Sequence, residues 1–438
     1  MKKKAEKIIL SWLLLATRLQ LKKNTPTIIG VTGSAGKTSA VKAIGEVLKT
    51  KHLTKSTLTG NSETGIPFEI LNIPIKNWSK LGWLSVLMIS LWRLITDWPK
   101  YKILIVEMGV DSDQSPKNMS YLLKIIQPTI GVFLNVNHVH GQNFSGSNTI
   151  KAITAEKGKL LLSLPKDGLA IYSKDHPSIL DLSKNIAAKK INFSINQPAN
   201  MQLLKYRVGL TGTEFVFINS GKQHSLNIKN QPLLKESFGG FAAALILGQY
   251  LGVSIEQGIK SLEKNFELLP GRSTLIKGIN DSIIIDSSYN SSFEPAAAAL
   301  RMLNQISIRG KKIAILGDMR EIGNQEKTDH EKLAEVAAKN ADEIVLIGPM
   351  VTKYSLPKLK KLRFAKTKTH SFNTAYEALE TVKKLVKSHD LILIKGSQNT
   401  IFLEIIVKEI MAQPEQAAKL LCRQSRYWNK QRQSLYTA

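Results

Sequence analysis

The chain has 438 residues, about three times a typical domain, and its 43% hydrophobic content, 28 Gly and 15 Pro exclude a disordered or fibrous protein. It carries 61 Lys and Arg against 34 Asp and Glu, a net charge of +27, which favours an anionic partner: nucleic acid, an anionic lipid surface or a phosphorylated substrate. The one cysteine, Cys422, excludes an intramolecular disulfide and a cysteine-cluster metal site, as is typical of the reducing cytosol.

Two short apolar segments lie among basic residues near the N-terminus. The first, Ile8–Thr17, predicts a basic apolar helix within residues 1–26, and the second, Trp83–Trp92, lies in an apolar insertion at residues 76–98. Both are shorter than the roughly 18 to 20 apolar residues that span a bilayer. Two interpretations stay open: helices in the plane of an anionic membrane surface, or helices packed on the protein's own core or on each other.

From Thr27 onward the sequence alternates apolar strands with helical stretches, beginning with TIIGV, the turn TGSAGKT and the helical stretch SAVKAIGEVLK. This order predicts an α/β fold with parallel sheets covered on both faces. The stretch at about 190–230 has short alternating segments and predicts a small antiparallel patch. Further strands are predicted at Ile103–Val106, Ile130–Leu134, Ile283–Ile285, Lys312–Leu316, Ile344–Ile347 and Leu391–Ile394.

A domain boundary is predicted at the Pro270-Gly271 turn, where a helix ends before a new series of strands. Residues 27–270 are predicted to form a central domain with a parallel sheet, and the phosphate-binding loop described next indicates an ATP-binding domain of the P-loop ATPase type. Residues 271–438 form a C-terminal Rossmann-like α/β domain that ends in a basic tail.

The segment GVTGSAGKTS follows a strand and opens a helix, which is the context of a phosphate-binding loop. Its backbone N–H groups and the helix N-terminus favour phosphate oxygens, and Lys37 adds a mobile positive charge. The Thr38 hydroxyl has the position that commonly holds Mg²⁺. The nucleotide phosphates are therefore expected at Gly33, Ser34, Ala35, Gly36, Lys37 and Thr38.

This loop resembles the G-x-T-G-x-x-G-K-T loop of the Mur ligases, ATP-dependent enzymes that form amide bonds in peptidoglycan precursor synthesis. The likeness extends over about residues 27–412. Two segments resemble the family member that adds D-alanyl-D-alanine: IIIDSSYNSS at 283–292 and ILGDMREIG at 315–323. Other similar segments, in the family's order, are EMG at 107–109, NVNHVH at 135–140, LPGR at 269–272 and KGSQ at 395–398.

The resemblance implies an α/β ligase that uses ATP and Mg²⁺, with Thr38, Glu107, His140 and a carbamylated Lys157 around the metal. Lys37, Lys157 and His140 are expected to be the catalytic residues. Taken alone, a Glu, a His and a surface Lys are more often structural. The residues implied for nucleotide contacts in the C-terminal domain are Arg272, Asp286, Tyr289 and Asn290, and those facing the substrate are Asp318, Glu321, Lys395 and Ser397.

The chemistry implied is a two-step transfer. A substrate carboxylate attacks the γ-phosphate of ATP and forms an acyl phosphate, and the amine of an amino acid or dipeptide such as D-Ala-D-Ala then displaces phosphate. The expected acceptor is a muramoyl peptide. Closure about Pro270-Gly271 would exclude water from the acyl phosphate.

The chain departs from the family where the substrate is recognised. The family's N-terminal domain is expected to be absent, and ESFGGFAAAL at 236–245 lacks the Asn and His of the family's corresponding helix. A ligase with another, lipid-linked acceptor therefore stays an alternative. A nucleotide-dependent nucleic-acid-binding protein is a second, but no RNA- or DNA-binding motif accompanies the charge, so no nucleic acid is expected. The expected location is the cytoplasm, with the inner face of the plasma membrane as an open alternative.

Overall fold

A computed structural model provides the structure of the protein. The chain divides into two compact units, the first made of Met1–Lys205, Val216–Leu226 and Ser237–Phe266, and the second of Tyr206–Phe215, Asn227–Glu236 and Glu267–Ala438. His140 and Glu321 lie outside the described residues. The structure describes residues 2–74, 80–138, 141–144, 148–320, 322–397 and 401–436.

The first unit contains most of a sheet whose order is β2-β3-β1-β4-β5-β6-β7-β8-β9, while residues 206–215 and 227–229 of its last three strands fall in the second unit. The neighbouring pairs from β2 to β7 are parallel. Two-residue turns join β7 to β8 and β8 to β9, which makes those pairs antiparallel. The strands are β1 (Thr27–Thr32), β2 (Thr54–Ser56), β3 (Ile103–Glu107), β4 (Ile130–Phe133), β5 (Leu169–Ser173), β6 (Lys189–Ser194), β7 (Met201–Gly209), β8 (Gly212–Asn219) and β9 (Lys222–Lys229).

The strands β3, β4 and β5 are buried along their whole length, as expected of parallel strands with helices on both faces. The helix α8 is apolar all round and packs against α2. The helices of this unit are α1 (Lys2–Lys22), α2 (Lys37–Leu48), α3 (Gly65–Ile70), α4 (Lys80–Thr96), α5 (Met119–Ile125), α6 (Thr149–Leu162), α7 (Pro177–Leu182), α8 (Phe238–Tyr250) and α9 (Ile255–Asn265).

The second unit has a sheet of order β10-β11-β15-β12-β13-β14, in which only β10 and β11 are antiparallel. Apolar cores cover its two faces, one contributed by α13 and α14 and the other by α10 and α11. The strands are β10 (Thr274–Lys277), β11 (Ile283–Ser287), β12 (Lys312–Gly317), β13 (Glu343–Ile347), β14 (Thr369–Phe372) and β15 (Leu391–Lys395). The helices are α10 (Phe293–Gln305), α11 (Glu326–Asn340), α12 (Leu356–Lys361), α13 (Ala375–Leu385), α14 (Glu404–Ile410), α15 (Ala417–Leu420) and α16 (Arg426–Tyr436).

The α/β fold class is confirmed, with one difference in the 190–230 region. The segment INFSIN, predicted as part of the antiparallel patch, forms β6, which pairs in parallel with β5 and β7. Its alternating pattern does not distinguish the two arrangements, and its partner β5 was not predicted. The division at Pro270-Gly271 stays a prediction. In the described part of the chain, no helix is both long and apolar enough to cross a bilayer.

The contact between α2 and α8 allows a test of the fold. A Cβ atom added at Gly240 would lie 3.2 Å from both the Cα and the Cβ of Ala40. We expect Gly240→Val to force these helices apart and to lower the free energy of unfolding by about 1 to 3 kcal/mol, measured by urea denaturation. The control is Gly209→Val, because a Cβ at Gly209 meets no atom within 4 Å. Equal losses from both substitutions would contradict this packing.

Candidate functional site

The loop between β1 and α2 has the backbone shape of a phosphate-binding loop. Gly36 immediately precedes α2 in a left-handed conformation, φ 77°, which glycine adopts without strain. Gly33 has φ 154°, and a Cβ atom added there would lie 3.1 Å from the Cβ of Leu134. Because α2 begins at Lys37, its first N–H groups have no carbonyl partner within the helix. They are available to bind an anion.

Asn135, which follows β4, holds this loop in place. Its side-chain carbonyl accepts hydrogen bonds from the N–H groups of Ser34 at 3.1 Å and Ala35 at 2.9 Å, and its amide donates to the Ala35 carbonyl at 3.0 Å. The backbone N–H of Asn137 donates to the Ser34 hydroxyl. The N–H groups of Ser34 and Ala35 thus donate to the protein itself. We therefore expect the N–H groups from Gly36 onward to bind the phosphates. Asn135 is a supporting residue that the sequence did not single out.

The Glu107 carboxylate connects the loop to the neighbouring strand. The Thr38 hydroxyl donates to Oε2 of Glu107 at 2.7 Å, and the Asn61 amide donates to Oε1 at 2.9 Å. Glu107 is buried and lies at the end of β3, whose register pairs Val31 with Glu107. Two predicted metal ligands, Thr38 and Glu107, are therefore in direct contact.

This pair fits a magnesium ion in its chemistry. Mg²⁺ prefers hard oxygen ligands, keeps several waters and needs one or two protein groups, and both oxygens here belong to buried side chains. Within the described residues, no group of three or more His, Cys, Asp and Glu side chains is arranged to hold a metal. The predicted ligand His140 lies outside them.

Lys157 of α6 lies close to the same edge of the sheet. It is buried, and its Nζ donates to the Val110 carbonyl at 3.0 Å. Burial lowers the pKa of Lys157 to about 7, and the charge of Lys37 adds to this, while Asp111 and Glu107 act in the opposite direction. A substantial fraction of this amine is therefore neutral near pH 7.

The Lys37 side chain lies over the loop, with its Nζ donating to the Gly33 carbonyl at 3.0 Å. The charges of Lys37 and Glu107 both act on the pKa of Lys157, the first lowering it and the second raising it, so the three side chains lie near one another. The structure thus brings four predicted residues to one edge of the first unit: Lys37, Thr38, Glu107 and Lys157.

The second predicted cluster is organised around the turn after β11. The Arg272 guanidinium stacks on the Tyr289 ring at 4.2 Å. Asp286 is fully buried, accepts a hydrogen bond from the Ser288 N–H at 3.0 Å, and has its pKa raised by burial to about 6. Among the described residues, its Oδ2 atom has no hydrogen-bond partner.

Lys395 and Ser397 contact this turn through its backbone. Lys395 is buried, and its ammonium donates to the carbonyls of Ser287 and Asn290. The Ser397 hydroxyl donates to the Ser291 carbonyl at 3.3 Å. Burial, with Arg272 adding, lowers the pKa of Lys395 to about 7. In these contacts both residues support the turn, while their role toward a substrate stays a prediction.

Asp318, which follows β12, is engaged by another loop. Its Oδ1 accepts hydrogen bonds from the N–H groups of Met350 at 3.0 Å and Val351 at 2.8 Å. Burial raises the pKa of this carboxyl, and those hydrogen bonds oppose the rise. Glu321, the other substrate-facing residue predicted on the loop after β12, lies outside the described residues.

The C-terminal tail supplies a support for the turn that the sequence did not indicate. Arg423 forms two hydrogen bonds of 2.9 Å with the Glu404 carboxylate, and it also donates to the carbonyls of Ser288 and Tyr289. Both charged side chains are almost completely buried, and Arg432 adds a third contact to Glu404. The tail therefore fixes the residues expected to contact the nucleotide.

Comparisons with known proteins agree with this arrangement. The family model of the Mur ligase middle domain matches residues 31–233, and that of the Mur ligase, glutamate ligase domain matches residues 271–398. The UDP-N-acetylmuramoyl-tripeptide--D-alanyl-D-alanine ligase of Buchnera aphidicola is 27% identical over 400 residues, 89% of this chain and 76% of that protein. The enzyme of the same name from Bacillus subtilis is 27% identical over 390 residues, 88% of this chain and 76% of that protein.

Solved structures show the same fold. MurF from Acinetobacter baumannii superposes with a TM-score of 0.74 and 20% identity, covering 91% of this chain and 79% of that one. The MurF ligase from Thermotoga maritima, solved in complex with ADP, has a TM-score of 0.74 and 21% identity, covering 92% and 83%. The family models and relatives give no support to nucleic-acid binding or to a lipid-linked acceptor.

The buried ion pair in the tail gives a stability prediction. We expect Arg423→Met to lower the free energy of unfolding by about 3 to 5 kcal/mol, because it leaves the buried Glu404 carboxylate undercompensated. Urea denaturation measures the loss. The matched control is Lys383→Met, which breaks a half-exposed pair with Glu409 and should cost less than about 1 kcal/mol. Losses of similar size in the two variants would show that the buried Arg423–Glu404 pair does not stabilise the protein more than an exposed pair does.

Proposed function

Because this chain belongs to the Mur ligase family, we propose that it is an ATP-dependent ligase that joins D-alanyl-D-alanine to a muramoyl tripeptide in peptidoglycan precursor synthesis. The observation that carries the proposal is the cluster of Lys37, Thr38, Glu107 and Lys157 at one sheet edge beside a phosphate-binding loop. The relatives that match along most of the chain have this activity in their names.

The loop and Lys37 account for the phosphoryl step. Backbone N–H groups at the start of α2 bind the phosphates, and the Lys37 ammonium can leave the Gly33 carbonyl to neutralise charge that develops on the γ-phosphoryl oxygens. The substrate carboxylate attacks the γ-phosphorus and ADP leaves. The incoming amine then attacks the carbonyl carbon of the acyl phosphate, inorganic phosphate leaves, and the nitrogen releases a proton. The peptide bond replaces the acyl-phosphate bond.

Thr38 and Glu107 would hold Mg²⁺, which supplies charge neutralisation at the phosphates when bound. The Asn61 amide orients the Glu107 carboxylate through Oε1. The resemblance supports His140, which lies outside the described residues, as a further ligand of this ion.

A carbamylated Lys157 fits the observed environment. Carbamate formation requires the neutral amine, whose nitrogen adds to the carbon of CO₂ and releases a proton, so that the side chain ends in an anionic carbamate whose oxygen can bind a metal. Burial and the nearby Lys37 charge favour the neutral form of this amine. The product anion would lie in the electrostatic neighbourhood of Lys37, which favours its negative charge.

A cavity of about 460 Å³ lies beside the loop that follows β2. Its lining includes Thr59, Gly60 and Asn72 and carries one anion and one cation, Glu69 and Arg93. Gly60 immediately precedes Asn61, the residue that donates to Glu107.

The turn after β11 would contact the nucleoside. The Tyr289 ring, stacked on Arg272, offers an aromatic surface to the nucleoside. Asp286 is fully buried, so a hydrogen bond between its Oδ2 and a ribose hydroxyl would require this turn to open. Asn290 is placed beside them by its position in the turn. Asp318, Glu321, Lys395 and Ser397 stay assigned to the substrate side on resemblance alone.

We propose a cytoplasmic location, where ATP is available and where the one thiol, Cys422, stays reduced. Contact with the inner face of the plasma membrane would require a surface suited to lipid, and the helices α1 and α4 are the candidates.

The activity is tested by phosphate release from ATP and Mg²⁺ with purified protein, supplying UDP-muramoyl-tripeptide and D-Ala-D-Ala separately and together. We expect release only with both substrates. Lys37→Ala should slow it by roughly a hundredfold or more, because it removes charge stabilisation from the transition state. Lys49→Ala, an exposed substitution just after α2, is the control. Release without either substrate, or an unchanged rate in Lys37→Ala, would contradict the proposal.

Carbamylation of Lys157 has its own test. After incubation with ¹³C-bicarbonate, the protein should show a carbamate resonance by ¹³C NMR that strengthens as the pH rises through about 7, because the amine then loses its proton. Lys157→Met should abolish the signal, and Lys159→Met, which changes a half-exposed neighbour, should retain it. The same resonance in Lys157→Met would refute the assignment.

A further inference from the structure

The helix α4 is apolar on two opposite faces, and within the described part of the chain only one of them is covered by other residues. The inward face contributes Trp83, Val86, Ile89 and Leu94 to a small core shared with α1 and α3. Polar contacts fix the arrangement, since the Trp12 indole donates to the Ser90 hydroxyl at 2.7 Å. The helix is therefore firmly placed, and its other face is an exposed apolar surface.

This outward face is a continuous stripe. Its members follow each other at helical spacing, and each is more than half exposed: Leu84 55%, Met88 67%, Leu91 51%, Trp92 63% and Ile95 63%. Trp98, just past the helix, is 67% exposed, and α1 adds Ile8, Leu15 and Leu19. A water-facing helix surface normally carries polar residues. Contiguous apolar exposure of this kind marks an interaction site.

The charges around the stripe favour an anionic occupant. The segment 82–96 has one charged residue, Arg93, and the segment 2–23 has seven Lys and Arg against Glu6. Lys23 lies 4.8 Å from the centre of the Trp98 ring and donates to the Asp97 carbonyl at the end of α4. A second copy of the chain would bring two such basic regions together, so charge disfavours self-association.

The size of α4 indicates how it would meet a membrane. Seventeen residues at about 1.5 Å each give a length below the roughly 30 Å hydrocarbon core. An apolar face with tryptophans and flanking basic residues is suited to lying in the plane of the interface, with indoles at head-group level.

We propose that the outward face of α4, assisted by the basic helix α1, docks the protein on an anionic phospholipid bilayer. Leu84, Met88, Leu91, Trp92 and Ile95 enter the interface, while Arg18 and Lys22, both exposed, attract the head groups. This goes beyond the proposed ligase activity and does not depend on it, since the surface binds lipid without ATP or a peptide substrate.

The test is flotation of the full chain with vesicles of phosphatidylcholine alone or mixed with phosphatidylglycerol. We expect binding to the mixed vesicles that weakens at high salt, and little binding to phosphatidylcholine alone. The double substitution Met88→Gln and Trp92→Gln should weaken the partition coefficient roughly tenfold or more, because it removes buried apolar area without changing the charge. The matched control is Leu204→Gln with Tyr376→Gln, two exposed apolar residues elsewhere.

The proposal would be overturned if the unmodified chain did not float with vesicles that contain phosphatidylglycerol, or if the control pair lost as much binding as the double variant. It would also be overturned if the unmodified chain bound no lipid but formed a dimer, and the Met88 and Trp92 substitutions converted that dimer to a monomer. Thermal unfolding checks that the variants fold. If the double variant does not fold, nitroxide-labelled lipid provides a second readout on the unmodified chain. Quenching of its tryptophan fluorescence supports docking, and unchanged fluorescence refutes it.

Discussion

The buried Glu107 carboxylate is the contact on which the candidate site depends. It joins three chain segments: the end of β3, the start of α2 through Thr38, and the loop after β2 through Asn61. Burying a carboxylate costs free energy unless hydrogen-bond donors satisfy it. The stability of this arrangement therefore depends on the Thr38 and Asn61 donors as well as on Glu107 itself. Because β1 and β3 are parallel neighbours, their C-terminal ends lie at the same edge of the sheet. Glu107 at the end of β3 therefore lies beside the phosphate loop that follows β1. The fold thus places a hard anionic oxygen beside the residues expected to bind phosphate.

Two buried lysines show how similar local sequence leads to different surroundings. Lys157 and Lys395 are each followed by glycine, and burial lowers the pKa of each to about 7. Lys157 shares its environment with carboxylates and with Lys37, which suits chemistry at the amine. Lys395 donates to backbone carbonyls of the turn after β11, which suits support of that turn. The pKa alone does not separate the two roles. Lys395 also lies near a cation and a carboxylate, Arg272 and Asp286, so the observed difference is that it donates to two backbone carbonyls, whereas Lys157 donates to one.

The sequence predicted those parts of the site that depend on local order. The strand, loop and helix around Lys37 follow one another along the chain, and Glu107 directly follows a recognisable strand. Support from distant residues could not be predicted in this way: Asn135 fixes the loop from another strand, and Arg423 fixes the Tyr289 turn from the C-terminal tail. The two apolar helices illustrate the same limit, because their patterns allowed internal packing or a membrane surface. In α4 one face packs internally and the opposite face is exposed.

Thr38 and Glu107 are proposed to form a magnesium-dependent nucleotide site, and calorimetric titration of ADP with and without Mg²⁺ tests this site most directly. In the unmodified protein we expect Mg²⁺ to strengthen ADP binding. In Thr38→Val, which removes the hydroxyl that contacts Glu107, ADP should still bind through the loop but Mg²⁺ should no longer strengthen the binding. Ser39→Ala serves as the control. The same Mg²⁺ effect in Thr38→Val as in the unmodified protein would contradict the claim.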